Sequence, residues 1–376
     1  VEAGPPQARP AENGGTTVTG NRALVVAADT VVLDEVLRLA AVANCETECV
    51  PDLVAARARW KEAPLVLVDE VAVAEDDPVH LPPRKGVLVV CKGPPAPGTW
   101  QRAFAVGAQQ VHSLPDDETA VLKAFAEIVE GPARPGGRVL AVVGGRGGAG
   151  ASVLAAGIAT TAASAGENVL LIDCDPLGGG LDVLFGAENH QGLRWPALRV
   201  DSGQILLSAL ETALPHRDYG TGRIRFLSTG EKGPDPSGDA IAGVVTSARR
   251  AGRLVICDLP RHLGGGAAEA AARADLVLVV VPPEVRACSA AKRVVDLLRR
   301  TGADVRLIVR GPSPGDLTAA YVSATVDVPL LAELRTERRL AHAIEKGHFH
   351  PKPHGPLHTT ASTALATLTT LPEPTP

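Results

Sequence analysis

The sequence predicts an α/β protein made of two successive, mostly parallel sheets covered by helices. Three observations predict it. β-Branched apolar runs recur along the chain, and helix-forming stretches lie between them. Most runs are apolar at consecutive positions rather than alternating, the mark of strands buried on both faces. A Pro/Gly segment, GPARPGG at 131–137, divides the series in two, and the charge divides there as well. Residues 1–137 carry 12 Lys+Arg against 19 Asp+Glu, whereas 138–376 carry 25 against 23. Two units with different partners follow from that asymmetry.

Residues 1–19 are rich in Pro, Gly and polar side chains, and are expected to be disordered. RALVVAAD (22–29) reads as a strand and VVLDEVLRLAAVAN (31–44) as an amphipathic helix. A short strand near 46–50, a helix at 51–62 and the strand PLVLVDEV (64–71) come next. GVLVVCKG (86–93) is a strand, 99–108 a helix, 109–114 a strand and 116–129 a closing helix. Five βα units in this length fit a flavodoxin-like, doubly wound domain over 20–130.

After the linker, the second unit is expected over 138–350. Arg138-Val-Leu-Ala-Val-Val143 leads into the loop GGRGGAGAS (144–152), and an Ala-rich helix runs to Ala165. NVLLIDCD (168–175), an irregular stretch with Arg194-Trp195, IRFLS (224–228), a helix at 239–251 and LVICDLP (254–260) follow. ADLVLVVVPPE (274–284), a helix at 287–301, VRLIVRG (305–311) and a helical region near 333–346 complete a doubly wound parallel sheet. Residues 351–376, Pro/His-rich and then Thr/Ala-rich, read as a C-terminal tail.

Composition narrows the function. With 45% hydrophobic and 21% charged residues, a chain of 376 residues can bury a sizeable core. No Lys/Arg block is dense enough to signal nucleic acid. No run approaches the roughly 18 apolar residues of a membrane span, and residues 1–15 hold no apolar leader core. Six scattered cysteines point to reduced thiols and a cytoplasmic setting.

The loop at 144–152 organises the chemistry. A glycine-rich turn between strand and helix lets backbone N–H groups approach an anion at the positive end of the helix dipole. Two motifs overlap in it. Gly145-x-Gly147-x-x-Gly150 satisfies a dinucleotide fingerprint, supported by Asp173 about twenty residues on. Gly145-x4-Gly150-Ala151-Ser152 is a P-loop with alanine in place of its lysine. Asp173 and Asp175 after the second strand, and Asp258 at the end of another apolar strand, favour the second reading. A Mg²⁺–nucleotide site needs strand-end acids to hold metal-bound water and a Ser, here Ser152, to touch the metal. As helix N-caps, the same aspartates would have a purely structural role.

The set Arg146–Ser152, NVLLIDCDPLGGGLD (168–182), LVICDLPR (254–261) and ADLVLVVVPPEVRACSAAKRV (274–294) resembles the MinD/ParA group of deviant Walker ATPases. GRGGAGAS, DPLGGGLD and GLRWP (192–196) are most similar to the CpaE/TadZ-like proteins of Flp/Tad pilus neighbourhoods and their septum-site-determining relatives. The resemblance implies a receiver-like domain before a nucleotide-binding one, ATP or ADP with Mg²⁺ as cofactors, and a homodimer. It implies partnership with a pilus or secretion ATPase or with cell-division proteins, and recruitment from the cytoplasm to a pole or septum. Candidate nucleotide contacts are Gly145, Arg146, Gly147, Gly148, Ala149, Gly150, Ala151, Ser152 and Val153, with Asp175 and with Arg310 near the base. Asp173 and Asp258 are the candidate catalytic carboxylates, and with Ser152 the candidate Mg²⁺ ligands through water.

Two departures qualify the resemblance. Arg146 stands where the group has its signature lysine, and Ala151 where it has the P-loop lysine. Alanine deletes a charge-assisted contact worth about 1.5–3 kcal/mol, or roughly 10- to 150-fold in affinity. Weak ATP binding with little turnover is therefore expected, against an active switch ATPase or an NAD(P)-dependent enzyme as alternatives. In the first unit Asp69 holds the phosphoacceptor position and Asp29 that of an acidic partner. The second acid and the fifth-strand lysine of a receiver are missing, which predicts a degenerate receiver used for protein contacts. His348, His350, His354 and His358 offer a metal-binding spacing, or simply a solvated tail. Residues 359–371 contain no Lys or Arg, so they lack the electrostatic half of a membrane-binding helix.

Overall fold

The computed structural model describes residues 22–74, 81–131, 134–198, 205–230, 236–337 and 339–372. The expected disorder at 1–19 lies outside the described residues. The chain divides into two compact units between Gly131 and Pro132.

In the first unit each apolar run becomes a strand and is followed by a helix. The order is β1 (Ala23–Val26), α1 (Thr30–Val42), β2 (Thr47–Val50), α2 (Leu53–Ala56) and β3 (Val66–Asp69). Next come α3 (Glu70–Val73), β4 (Val87–Lys92), α4 (Thr99–Ala105), β5 (Gln110–Leu114) and α5 (Glu118–Glu130). All neighbours are parallel, in the order β2-β1-β3-β4-β5. This is the flavodoxin-type order, and separate apolar clusters fill the two faces of the sheet.

The second unit begins with β6 (Arg138–Gly144), α6 (Ala151–Ser164), β7 (Asn168–Asp173) and the short α7 (Leu181–Leu184). A 3-10 turn at Trp195–Ala197 and α8 (Leu207–Ala213) precede the hairpin β8 (His216–Tyr219) and β9 (Gly222–Leu227). Then come α9 (Gly238–Arg250), β10 (Leu254–Leu259), α10 (Gly266–Arg273), β11 (Leu276–Val281) and α11 (Val285–Leu298). The unit closes with β12 (Asp304–Arg310), α12 (Ala319–Val326), β13 (Leu330–Leu334), α13 (Leu340–Ile344) and α14 (Pro356–Thr370). Strand order is β13-β12-β11-β6-β10-β7-β9-β8, with only the β8–β9 hairpin antiparallel.

That order decides between the overlapping motifs. In the dinucleotide fold the strand after the glycine loop's helix pairs directly with the first strand. Here β10 lies between β6 and β7, and Asp258 is in register with Val142 on one side and Asp173 on the other. The loop therefore faces acids from two strands, the arrangement a metal–phosphate site requires.

Three expectations need correction. The helical region near 333–346 is instead strand β13 followed by the five-residue α13. Leu330-Leu-Ala-Glu-Leu has helix-forming composition, but pairing with β12 overrides it. α3, α7, α8, α10, α12 and strand β8 are absent from the sequence expectation; β8 reads His-Arg-Asp-Tyr and is held by its hairpin partner, not by apolar character. The stretch that reads as a tail contains α14, which packs on α6 and β13. Its buried apolar residues, Leu357, Ala361, Ala364 and Leu368, form one stripe at helical spacing. A Thr/Ala sequence without charges hides that stripe, because no polar face contrasts with it. α6 meets α14 at Gly157, where an added Cβ would lie 2.7 Å from Leu357 Cγ. At the start of β6, Arg138 Nη1 and Nη2 donate to the Pro372 and Leu371 carbonyls at 2.7 and 3.0 Å.

Candidate functional site

β6 ends at Gly144, and the Gly145 N–H donates to the Val280 carbonyl of β11 at 2.8 Å. Gly145 has to be glycine: a Cβ would sit 2.8 Å from Ala291 Cβ and 2.9 Å from Val281 Cγ2. Gly148 and Gly150 adopt φ of 70° and 92°, which glycine takes without strain. Gly150 is the N-cap of α6 and brings no side chain to cap it. The first-turn N–H groups are thus left for an anion. Ala151 begins the helix and Ser152 follows within its first turn.

The two strand-end carboxylates meet below the loop. Asp173 and Asp258 are register partners and are 2% and 5% exposed. Asp173 accepts from the Asp175 and Leu181 N–H groups, each at 3.1 Å. Burial outweighs these bonds and pushes its carboxyl up to about 7. Burial likewise pushes Asp258 up to about 8, opposed by a hydrogen bond with Ser152 and assisted by the Asp173 charge. Two buried acids that resist ionisation beside a hydroxyl suit a divalent cation, whose charge would hold both ionised. Asp175 borders the same space, and its Oδ1 accepts from the Leu177 N–H at 3.1 Å, closing a local turn.

A cavity of about 690 Å³ is lined by Ser152, Asp173 and Asp258 together with Gly178–Gly180, Lys346 and His348. A smaller one of about 120 Å³ brings Val153 and Arg310 together with Leu334, Leu340 and Ile344. Arg310 lies across the loop, its Nη1 donating to the Ala149 carbonyl at 3.2 Å and the Gly148 carbonyl at 3.4 Å. Arg146 Nη2 donates to Glu284 at 2.8 Å, and Nη1 to the Gly147 carbonyl at 3.2 Å.

Behind the site, residues known at the sequence level only as GLRWP acquire a role. Trp195 is buried, and its Nε1 donates to the Asp173 carbonyl at 2.7 Å. Arg194 Nε donates to Asp182 at 2.8 Å, a pair in which both side chains are largely buried. Together they fix DPLGGGLD against the end of β7. GLRWP marks them in the sequence only as part of a family resemblance; spacing rules assign the tryptophan and arginine no role.

The first unit uses its aspartates for backbone. Asp69 Oδ2 accepts from the Ala28 and Asp29 N–H groups at 2.7 and 2.6 Å, and Oδ1 from Ala72 at 2.5 Å. Asp29 caps α1 through the Val31 and Val32 N–H groups. The spacing of the four histidines does not gather three of them around one point. The His354 and His358 rings make an edge contact at 5.4 Å, and among the described residues no three His, Cys, Asp or Glu side chains converge on a metal position.

An intact glycine loop between β6 and α6, facing acids from β7 and β10, defines a MinD/ParA-class P-loop domain, here preceded by a CheY-like domain. Comparison with known families agrees with both halves. Residues 26–136 match the Rv3660c-like, CheY-like N-terminal domain, and 138–296 match the family of the cellulose biosynthesis protein BcsQ. Rv3660c of Mycobacterium tuberculosis strain H37Rv is 40% identical over 314 residues, covering 83% of this chain and 87% of that protein. The chain belongs to the Rv3660c-like family of MinD/ParA proteins. The septum site-determining protein MinD of Thermotoga maritima is 30% identical over 166 residues, 44% of this chain and 60% of that protein. Among solved structures, the Pyrococcus furiosus cell division ATPase MinD superposes with a TM-score of 0.51 at 17% identity. That superposition covers 61% of this chain and 99% of the other, and it shows a shared fold.

Proposed function

We propose that this protein is a localisation and scaffold protein of the CpaE/TadZ or septum-site-determining kind, with a phosphate loop that binds ATP weakly and hydrolyses it slowly. The observation that carries the reading is Ala151 at the first position of α6, in a loop otherwise complete. With the Gly145 N–H held by Val280, the later loop N–H groups as far as Ser152 would hold the β- and γ-phosphates, and Val153 and Arg310 would border the base. Asp173 and Asp258, with Ser152, would hold Mg²⁺ through water. The ion supplies neutralisation of phosphate charge, and the buried carboxylates keep it in place. Without a lysine at 151, less charge stabilisation reaches the transition state.

In this proposal the P-loop unit pairs as a homodimer and the CheY-like unit contacts partners, either a pilus or secretion ATPase or cell-division proteins. The septum-site-determining name of the Thermotoga relative supports the second partner class. No described helix is long and apolar enough to cross a membrane. α14 turns its apolar stripe onto α6, so recruitment to a pole or septum would run through a partner.

Titration with ATP, ADP and NADH in the presence of Mg²⁺, together with phosphate release, tests the reading. Weak ATP binding with slow release is expected. Tight ATP binding with steady turnover would assign an active MinD/ParA-like switch instead, the second reading, which the complete set of Ser152, Asp173 and Asp258 favours. Binding of NADH without ATP would overturn both.

A further inference from the structure

Three arginines approach the glycine loop, each from a different segment. Arg146 is engaged by the Glu284 carboxylate at 2.8 Å, which offsets its charge. Arg310 lies across the loop's carbonyl oxygens and holds the backbone. The third, Arg261, follows β10 three residues after Asp258. A Cβ placed on Gly147, in the middle of the loop, would lie 4.0 Å from Arg261 Nη2, with no other atom nearer. Arg261 is exposed, and among the described residues no carboxylate or carbonyl engages it.

We infer that Arg261 supplies the cation missing at position 151, by binding the terminal phosphate oxygens of a nucleotide held in the loop. The inference rests on the nucleotide reading of that loop. Its chemistry follows from what the loop has and lacks. Backbone N–H groups give hydrogen bonds but only partial charge, and a polyphosphate needs a full positive charge beside it. A lysine at 151 would reach the phosphates from the helix. Arg261 reaches the same loop from the end of the neighbouring strand, on the segment that carries Asp258. Its planar fork presents two parallel N–H donors to a pair of oxygens, a fixed geometry that a lysine's compact ammonium lacks. Of the three arginines, Arg146 is paired with a carboxylate and Arg310 is spent on loop carbonyls, so Arg261 is the one whose guanidinium has no partner among the described residues.

Equilibrium binding of Mg·ATP to the full chain tests this in a cycle of Arg261→Gln and Ala151→Lys. Arg261→Gln should weaken ATP by about 10- to 150-fold, the loss of one charge-assisted contact, while leaving the thermal melt unchanged. Arg261→Lys should keep part of the affinity. Ala151→Lys should restore most of the loss in the Arg261→Gln background and add less to the wild type, because one cation then substitutes for the other. Equal ATP affinity in wild type and Arg261→Gln, or an Ala151→Lys gain of the same size in both backgrounds, overturns the inference and leaves the site reading intact. Absence of ATP binding in the wild type, Arg261→Gln and Ala151→Lys alike overturns the site reading itself.

Discussion

Asp173 of β7 and Asp258 of β10 are partners across adjacent parallel strands, both buried, with carboxyl groups raised to about 7 and about 8. In the unfolded chain both ionise near pH 4. Between about pH 4 and their folded values the native state therefore holds more protons than the unfolded state. The contribution of these two groups to stability is full below about pH 4 and falls as pH rises, by up to about 1.4 kcal/mol per pH unit for each group. Chemical denaturation of metal-free protein from pH 5 to 8 should show that decline. Asp258→Asn should flatten it and raise stability at pH 8, and an unchanged slope would refute the assignment. Saturating Mg·ATP should also flatten the slope, since a cation keeps both groups ionised in the folded state.

The Arg194–Asp182 pair is a separate lever on the same region. Both side chains are largely buried, so removing one partner leaves an uncompensated charge. Arg194→Met should destabilise the protein by about 3–5 kcal/mol, and adding Asp182→Asn should recover much of that. Urea melts of the two single variants and the double variant measure the coupling; strictly additive losses would show that the pair does not act as a unit.

Much of this architecture is legible in the amino-acid sequence alone. The buried strands announce themselves because Val139–Val143, Val169–Ile172 and Leu276–Val281 are apolar at every position. The loop and its acids are local in sequence and readable from spacing. What spacing cannot convey is which strand lies beside which. The β10 strand between β6 and β7 separates a metal–phosphate site from a dinucleotide site, and it is placed by crossover connections that no local pattern encodes. Contacts such as Arg310 on the Ala149 carbonyl join residues 161 positions apart, so they are invisible to spacing for the same reason. β13 and α14 escape a sequence reading for a different one. Their Leu/Ala and Thr/Ala compositions carry little contrast, and partners in the fold decide their state.

α14 should accordingly be a structural element of the second unit. Leu357 is 1% exposed and its side chain fills the notch over Gly157. Leu357→Ala should cost about 2–5 kcal/mol, as for other fully buried leucines. Scanning calorimetry checks this, and a loss within about 0.5 kcal/mol, the range of a surface site, would show that the helix is only loosely applied.

The first unit should not respond to phosphodonors. Both oxygens of Asp69 are occupied by the Ala28, Asp29 and Ala72 N–H groups, so phosphorylation of either oxygen would disturb backbone donors that hold it. Intact-mass measurement after incubation with acetyl phosphate should show no phosphoryl adduct at Asp69. Asp69→Ala should instead destabilise the unit by at least about 1–3 kcal/mol, the cost of leaving a buried donor unpaired.

Arg138 grips the carbonyls of Leu371 and Pro372 at the start of β6, whereas the glycine loop lies at the other end of that strand. The P-loop domain thus receives the polypeptide and releases it at one pole, and keeps its phosphate loop at the opposite pole. A fluorescent reporter or surface tether joined at the α14 end of this domain would start from the end of the sheet away from the loop.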